Sequence, residues 1–117
     1  MSEKLSAKRC RFSAAISELV RWVNAQPGYA CAYNEIKRSS AQAAANAASG
    51  AGISNSLHLL GLAADILLYK DGVYQELSEA HKFIGEKWKA MGPDHCWGGD
   101  FKRVDGNHYS IEHNGVK

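Results

Sequence analysis

Cysteine is scarce and scattered in this sequence. Cys10, Cys31 and Cys96 stand far apart among 117 residues, with no CxxC pair. An odd, dispersed set excludes a disulfide framework and fits folding in a reducing compartment. Long apolar runs are missing too. No stretch approaches the roughly 18 apolar residues that a membrane span requires, so no stable membrane insertion is expected. The opening residues, Met-Ser-Glu-Lys-Leu-Ser-Ala-Lys-Arg, are polar where a signal peptide would be apolar. Synthesis in the cytoplasm without export by the usual route is the resulting expectation. Charge of one sign is also lacking: 14 Lys and Arg face 12 Asp and Glu, a formal net of +2. So small an excess gives no footing for a nucleic-acid partner. Repeats, linkers and low-complexity segments are absent.

What remains is an ordinary globular composition, 45% hydrophobic and 22% charged. The length suits one compact domain over residues 1–117, which buries roughly 60% of the surface its unfolded chain would expose.

Hydrophobic spacing then divides the chain. Phe12, Ala15, Ile16, Leu19, Val20 and Val23 recur at intervals of three and four, predicting an amphipathic helix from about Ser6 to Ala25. Gln26-Pro27-Gly28 ends it, and Tyr29 to Ile36 reads as a strand. The alanines after Arg38, from Ser39 to Ala48, favour a second helix. Residues Ser49 to Ser56 are loop-like. Leu62 to Tyr69 has strand length, and Lys70-Asp71-Gly72 reads as a hairpin turn returning through Val73 and Tyr74. Glu76 to Met91 has helical spacing, with Leu77, Ala80, Phe83, Ile84 and Trp88 inward. Short strands around Trp97, Phe101 and His108 to Ile111 complete an α+β domain.

Two segments hold the residue types of a metal site. In Ser56-Leu-His58-Leu-Leu-Gly61-Leu-Ala-Ala-Asp65 a histidine and an aspartate lie seven residues apart. On one helix that spacing separates the Cα atoms by about 10.5 Å, too far to share an ion. A loop followed by a strand folds them together, and Gly61 permits the sharp approach. An HxxGxxxD pattern by itself is better explained by a turn-capping aspartate and a surface histidine. Asp65, however, lies within an apolar run, where an unpaired carboxylate is costly and a cation relieves the cost. The second segment is Trp97-Gly-Gly-Asp100-Phe101 followed by Asp105-Gly-Asn-His108-Tyr109. A catalytic zinc typically takes three protein ligands and keeps one position open for water. His108 is the candidate third ligand. Asp105, three residues earlier, is the candidate general base.

Taken jointly, SxHxxGxAxD, WGGDF, DxxH and the Arg38-Ser…Gln42 stretch resemble the metal-dependent D-alanyl-D-alanine carboxypeptidases and L-alanyl-D-glutamate endopeptidases. That family includes VanY-like enzymes and phage endolysins. The resemblance runs from about Glu35 to His108 and implies a small α+β domain of the Hedgehog/DD-peptidase-like kind, a short antiparallel sheet flanked by helices. It further implies a Zn2+ cofactor held by His58, Asp65 and His108, with Asp105 as catalytic acid or base. Arg38 matches an arginine facing the substrate, and Ser56 a residue near the metal that binds it. Asp105 stands where the carboxypeptidase branch more often has Glu, and this tilts the reading toward the endopeptidase and endolysin branch. Tyr-Ser-Ile-Glu after His108 and Glu-Ile-Lys before Arg38 depart from the family pattern.

The implied chemistry is zinc-assisted hydrolysis of amide bonds in peptidoglycan stem peptides. Asp105 would move the water proton to the leaving amine. Arg38 would hold a substrate carboxylate or the developing oxyanion, unless it merely pairs with Glu35. Trp97 and Tyr109 would form an apolar wall beside the peptide, though Trp97 fits a core position as well. His81 is expected to be solvated. His95 and Cys96 are adjacent and poorly disposed to share a metal, and His113 is expected to be uninvolved. The competing readings are a D-alanyl-D-alanine carboxypeptidase, a zinc-stabilised binding module without turnover, and a nuclease-like site on Asp105, His108 and His113. Without a wall-binding domain or a signal peptide, the expectation is a monomer that accumulates in a host bacterial cytoplasm before reaching the wall.

Overall fold

The computed structural model describes residues 3–35 and 57–117. Arg38, Ser56 and the helix expected over Ser39 to Ala48 lie outside the described residues. Helix α1 spans Leu5–Asn24 and buries Phe12, Ile16, Leu19 and Val23, the stripe that the three-and-four spacing marks out. Asn24 accepts from the backbone N–H of Cys31 at 3.1 Å, tying the helix end to strand β1, Tyr29–Glu35. A single helical turn, α2 (Leu57–Leu60), precedes strand β2, Ala63–Lys70. Strand β3 (Val73–Tyr74) pairs back through Lys70↔Val73 and Tyr69↔Tyr74. Asp71 and Gly72 both have positive φ, as a two-residue hairpin of type I′ requires. Helix α3 (Lys82–Ala90), strand β4 (His95–Trp97) and strand β5 (His108–Ile111) follow. No described helix is long and apolar enough to cross a membrane.

All strand pairs are antiparallel, in the order β1-β2-β5-β4, with β3 beside β2. Side chains alternate across a strand, so one register sorts the residues into two faces. Ala64 pairs with Tyr109, and Trp97 with Tyr109, on the face that packs against the helices. There Phe12, Trp88 and Tyr109 form edge-to-face contacts, and the Trp88 indole donates to the Ser110 carbonyl at 3.0 Å. Ala63, Asp65, His108 and Ser110 turn to the opposite face.

Two expectations change. The helix predicted from Glu76 begins as a 3-10 turn, Ser78–His81, and becomes α-helical at Lys82. Leu77 therefore stays in extended backbone and is 62% exposed rather than inward. Phe101 lies in a bend, not a strand.

Candidate metal centre

His58 is set by the end of α2. The Leu62 N–H donates to the Leu57 carbonyl at 2.9 Å and the Gly61 N–H to the His58 carbonyl at 3.3 Å. Together with Gly61 at φ 74°, these bonds form a Schellman motif, which turns the chain directly into β2. Leu57 and Leu62, at the ends of that motif, are both buried. Arg9 of α1 donates to the Leu60 carbonyl at 2.6 Å, satisfying an orphan helix-end acceptor. His58 is thus fixed on a short rigid turn by the core rather than held in an open loop.

Asp65 and His108 meet by register. They are Cα partners in the β2–β5 ladder, and the Ile66 N–H donates to the Asn107 carbonyl at 3.0 Å. That bond lies one residue outside the pair, which makes Asp65 and His108 a non-hydrogen-bonded pair, the class that brings side chains closest. His58 Nε2 lies 3.3 Å and His108 Nδ1 3.6 Å from the same oxygen, Asp65 Oδ1. One donor atom from each residue lies within 4.8 Å of the others.

These distances discriminate between explanations. At 3.6 Å a ring nitrogen and a carboxylate do not make a normal hydrogen bond. Asp65 Oδ1 and His108 Nε2 are buried without a hydrogen-bond partner. A tetrahedral zinc with bonds of about 2.0–2.2 Å sets its ligand atoms about 3.3–3.6 Å apart, matching the two separations from Asp65 Oδ1, with the third edge of the triangle within 4.8 Å. Two imidazoles and a carboxylate are also the donor set that zinc takes. The residues fit the ion. Burial pushes the Asp65 carboxyl up, but His108 and His58 more than reverse this and hold its pKa down at about 2. Asp65 is therefore an anion ready to bind a cation.

Asp105 is exposed in the turn that leads into β5, and its carbonyl accepts from the His108 N–H at 3.1 Å. Although the residue as a whole is exposed, partial desolvation of its carboxyl, then the nearby Asp65 charge, pushes its pKa above the usual carboxylate range in the metal-free protein. This turn is clamped by the Trp97-Gly98 segment. The Trp97 indole donates to the Gly106 carbonyl at 2.7 Å, and the Asp105 N–H donates to the Gly98 carbonyl at 2.9 Å. The Gly106 N–H in turn donates to Ser78 Oγ at 2.9 Å.

The other sequence candidates fall elsewhere. Trp97 and Tyr109, expected as a wall beside the peptide, are in the core at 6% and 0% exposure. The reason is alternation: Tyr109 follows His108 and must point to the opposite face. The Trp97 ring lies between Gly85 and Gly99, either of which would clash with it if given a Cβ. His81, expected to be solvated, is buried with Nδ1 2.8 Å from the Tyr109 hydroxyl, and burial drops its pKa to about 4. His95 is buried on Trp88, its Nδ1 bonded to the Trp88 carbonyl at 2.9 Å. His113 pairs with Lys8 at 3.3 Å, away from the site.

The fold is similar to that of the Serratia marcescens L-Ala D-Glu endopeptidase ChiX, with TM-score 0.73 and 21% identity over 88% of this chain and 79% of that one. It is also similar to the vancomycin-resistance D,D-pentapeptidase VanY in complex with Zn(II). There the TM-score is 0.56 and the identity 19%, over 86% of this chain and 70% of that one. No curated protein is significantly similar to the chain in sequence. A family model described as D-alanyl-D-alanine carboxypeptidase matches residues 49–111, which hold His58, Asp65, Asp105 and His108. With more than half its length matched, through both strands that build the centre, the chain belongs to this family of zinc-dependent peptidases.

Proposed function

We propose that the chain is an L-alanyl-D-glutamate endopeptidase acting on peptidoglycan stem peptides, of the kind that serves as a phage endolysin. The observation that carries the reading is the triangle of His58, Asp65 and His108 with Asp105 beside it. Bound zinc would supply a Lewis acid that polarises an amide carbonyl and makes water acidic near pH 7. Asp105 is suited to taking a proton and returning it to the leaving amine because it is a carboxylate placed beside the triangle, close enough to feel the charges of Asp65, His108 and His58. A non-catalytic module has no use for that carboxylate. Arg38 and Ser56 are assigned to the substrate on family resemblance. Asp105 in place of Glu, and the larger share of the ChiX chain that is matched, support the endopeptidase branch. The family description itself favours a second reading, removal of a terminal D-alanine.

Purified peptidoglycan incubated with the protein, with and without chelator, separates these readings by mass spectrometry of the fragments. Peptides with a new N-terminal D-glutamate, lost with chelator and restored by zinc, are expected. Free D-alanine alone would establish the carboxypeptidase, and no release with zinc bound would leave only a binding module.

A further inference from the structure

Among the described residues five large apolar side chains are left exposed, and all but Tyr33 line one open groove or the cleft beside it that contains Asp105. Val73 is 63%, Leu77 62% and Val104 58% exposed, and Tyr74 is nearly half exposed. Val73, Tyr74, Leu77 and Ala80 line an open groove of about 690 Å3, within the usual size of ligand sites. The Tyr74 ring is steadied against Tyr69 at a centroid distance of 5.6 Å. Tyr74, Gln75 and Glu76 also line a smaller cleft of about 180 Å3, whose other wall is His81, Val104, Asp105 and Asn107. Groove and cleft are therefore one track that leads to the candidate proton carrier. Its charge is uneven. Among the described lining residues Glu76, Glu79 and Asp105 are acidic and Lys82 is basic, Arg103 is near enough to Asp105 to lower its pKa, and burial keeps His81 neutral at pH 7. Apolar walls with acids along the rim fit a long apolar stem ending in a cation.

We infer that this track binds the amine-bearing side chain of a diamino acid in the substrate peptide, with Val73, Tyr74 and Leu77 against its methylenes and Glu76 and Glu79 at its ammonium. The inference rests on the peptidase reading and adds the substrate class to it. An exposed ion pair contributes at most about fivefold in affinity, and salt weakens it.

The test uses two stem peptides that differ only in a free or acetylated side-chain amine. The free amine is expected to raise kcat/KM about fivefold, with the preference shrinking at high salt. The Glu76→Gln/Glu79→Gln variant should lose the preference while cleaving the acetylated peptide as before. Equal kcat/KM for the two peptides overturns the inference and leaves the peptidase reading intact. If neither peptide is cleaved, NMR titration of both into the protein decides. Shifts confined to residues 73–79 and specific to the free amine support the track, and their absence overturns it. Failure on intact peptidoglycan as well refutes the peptidase reading separately. Concentration-dependent dimers lost in Leu77→Ser, without amine discrimination, would show instead that the groove is an interface between copies.

Discussion

Replacing Gly98 with alanine is the sharpest test of how the metal centre is built. Gly98 has no positive φ, so alanine meets no backbone strain there. The obstacle is space. A Cβ on Gly98 would lie 2.8 Å from His108 Cβ and 2.9 Å from the Asp105 carbonyl carbon, and closer still to that carbonyl's oxygen. Ordinary carbon contacts are about 3.5–4.0 Å, so the Asp105–His108 turn must retreat by about 1 Å. That retreat moves a candidate ligand and the proposed proton carrier together and strains the 2.9 Å bond between the Asp105 N–H and the Gly98 carbonyl. Overpacking costs about 1–3 kcal/mol of stability, and a misplacement of about 1 Å at the chemistry costs about 100-fold in rate. The expected result is a modest fall in Tm with a far larger fall in kcat/KM and weaker zinc binding. Gly72→Ala is the control. Gly72 has φ 80° and nothing within 4 Å of an added Cβ, so alanine should cost about 1 kcal/mol of stability and leave catalysis alone. Gly98→Ala activity within about threefold of the parent, against that 100-fold expectation, would refute the clamp.

Asp105→Asn should abolish peptide release while the protein still binds one zinc, measured by metal analysis after gel filtration; retained turnover removes Asp105 from the mechanism. Zinc at 1,000 times its Kd should stabilise the chain by about 4 kcal/mol in thermal melts. Asp65→Asn should lose most of that gain, and an undiminished gain would place the ion elsewhere. Acid stability should report His81. Its pKa is about 4 folded and about 6.5 unfolded, so the unfolded state takes the proton first and stability falls as pH drops from about 6.5 to about 4. The loss is about 3 kcal/mol, and His81→Gln should flatten it in chemical denaturation of the zinc-free protein; an unchanged slope assigns the loss to other groups.

The candidate cluster His58, Asp65 and His108 was legible through the family resemblance, with a local anomaly at two of its residues. Asp65 is a carboxylate inside an apolar strand, and His108 opens a second strand after a glycine turn. Helix α1 and the Lys70–Val73 hairpin were legible from period and turn chemistry. The roles of Trp97 and Tyr109 were not. Whether an aromatic beside a ligand faces substrate or core depends on which strand face it occupies, and that follows from the β2–β5 and β4–β5 registers. Pairing across distant segments leaves no trace in local spacing. His81 was misread for a related reason. Its partner, the Tyr109 hydroxyl, lies 28 residues away, and the expected α-helix would have given it another orientation. Leu77 followed the apolar period of a helix that starts later, so the same pattern that marks a core position marks the exposed groove.

The WGGDF and DGNH segments act as one device, although neither is a metal-site signal alone. His108 can be aimed only if the turn before β5 is stiff, and a glycine-containing turn is not stiff by itself. The chain supplies stiffness from outside: the Trp97 indole on the Gly106 carbonyl, the Gly98 carbonyl on the Asp105 N–H, and Ser78 Oγ on the Gly106 N–H. The bonds come from strand β4, from Gly98 just after it and from the 3-10 turn, while helix α3 bears on the same four-residue turn only through Gly85 against the Trp97 ring. Trp97 can fill this role only because Gly85 and Gly99 leave room for its ring on both sides. The glycines of WGGDF are therefore spacers for an indole and for a turn, and through them the core packing of α3 fixes where Asp105 and His108 stand. Catalytic precision in so small a domain then comes from the packed core rather than from the loop that carries the chemistry.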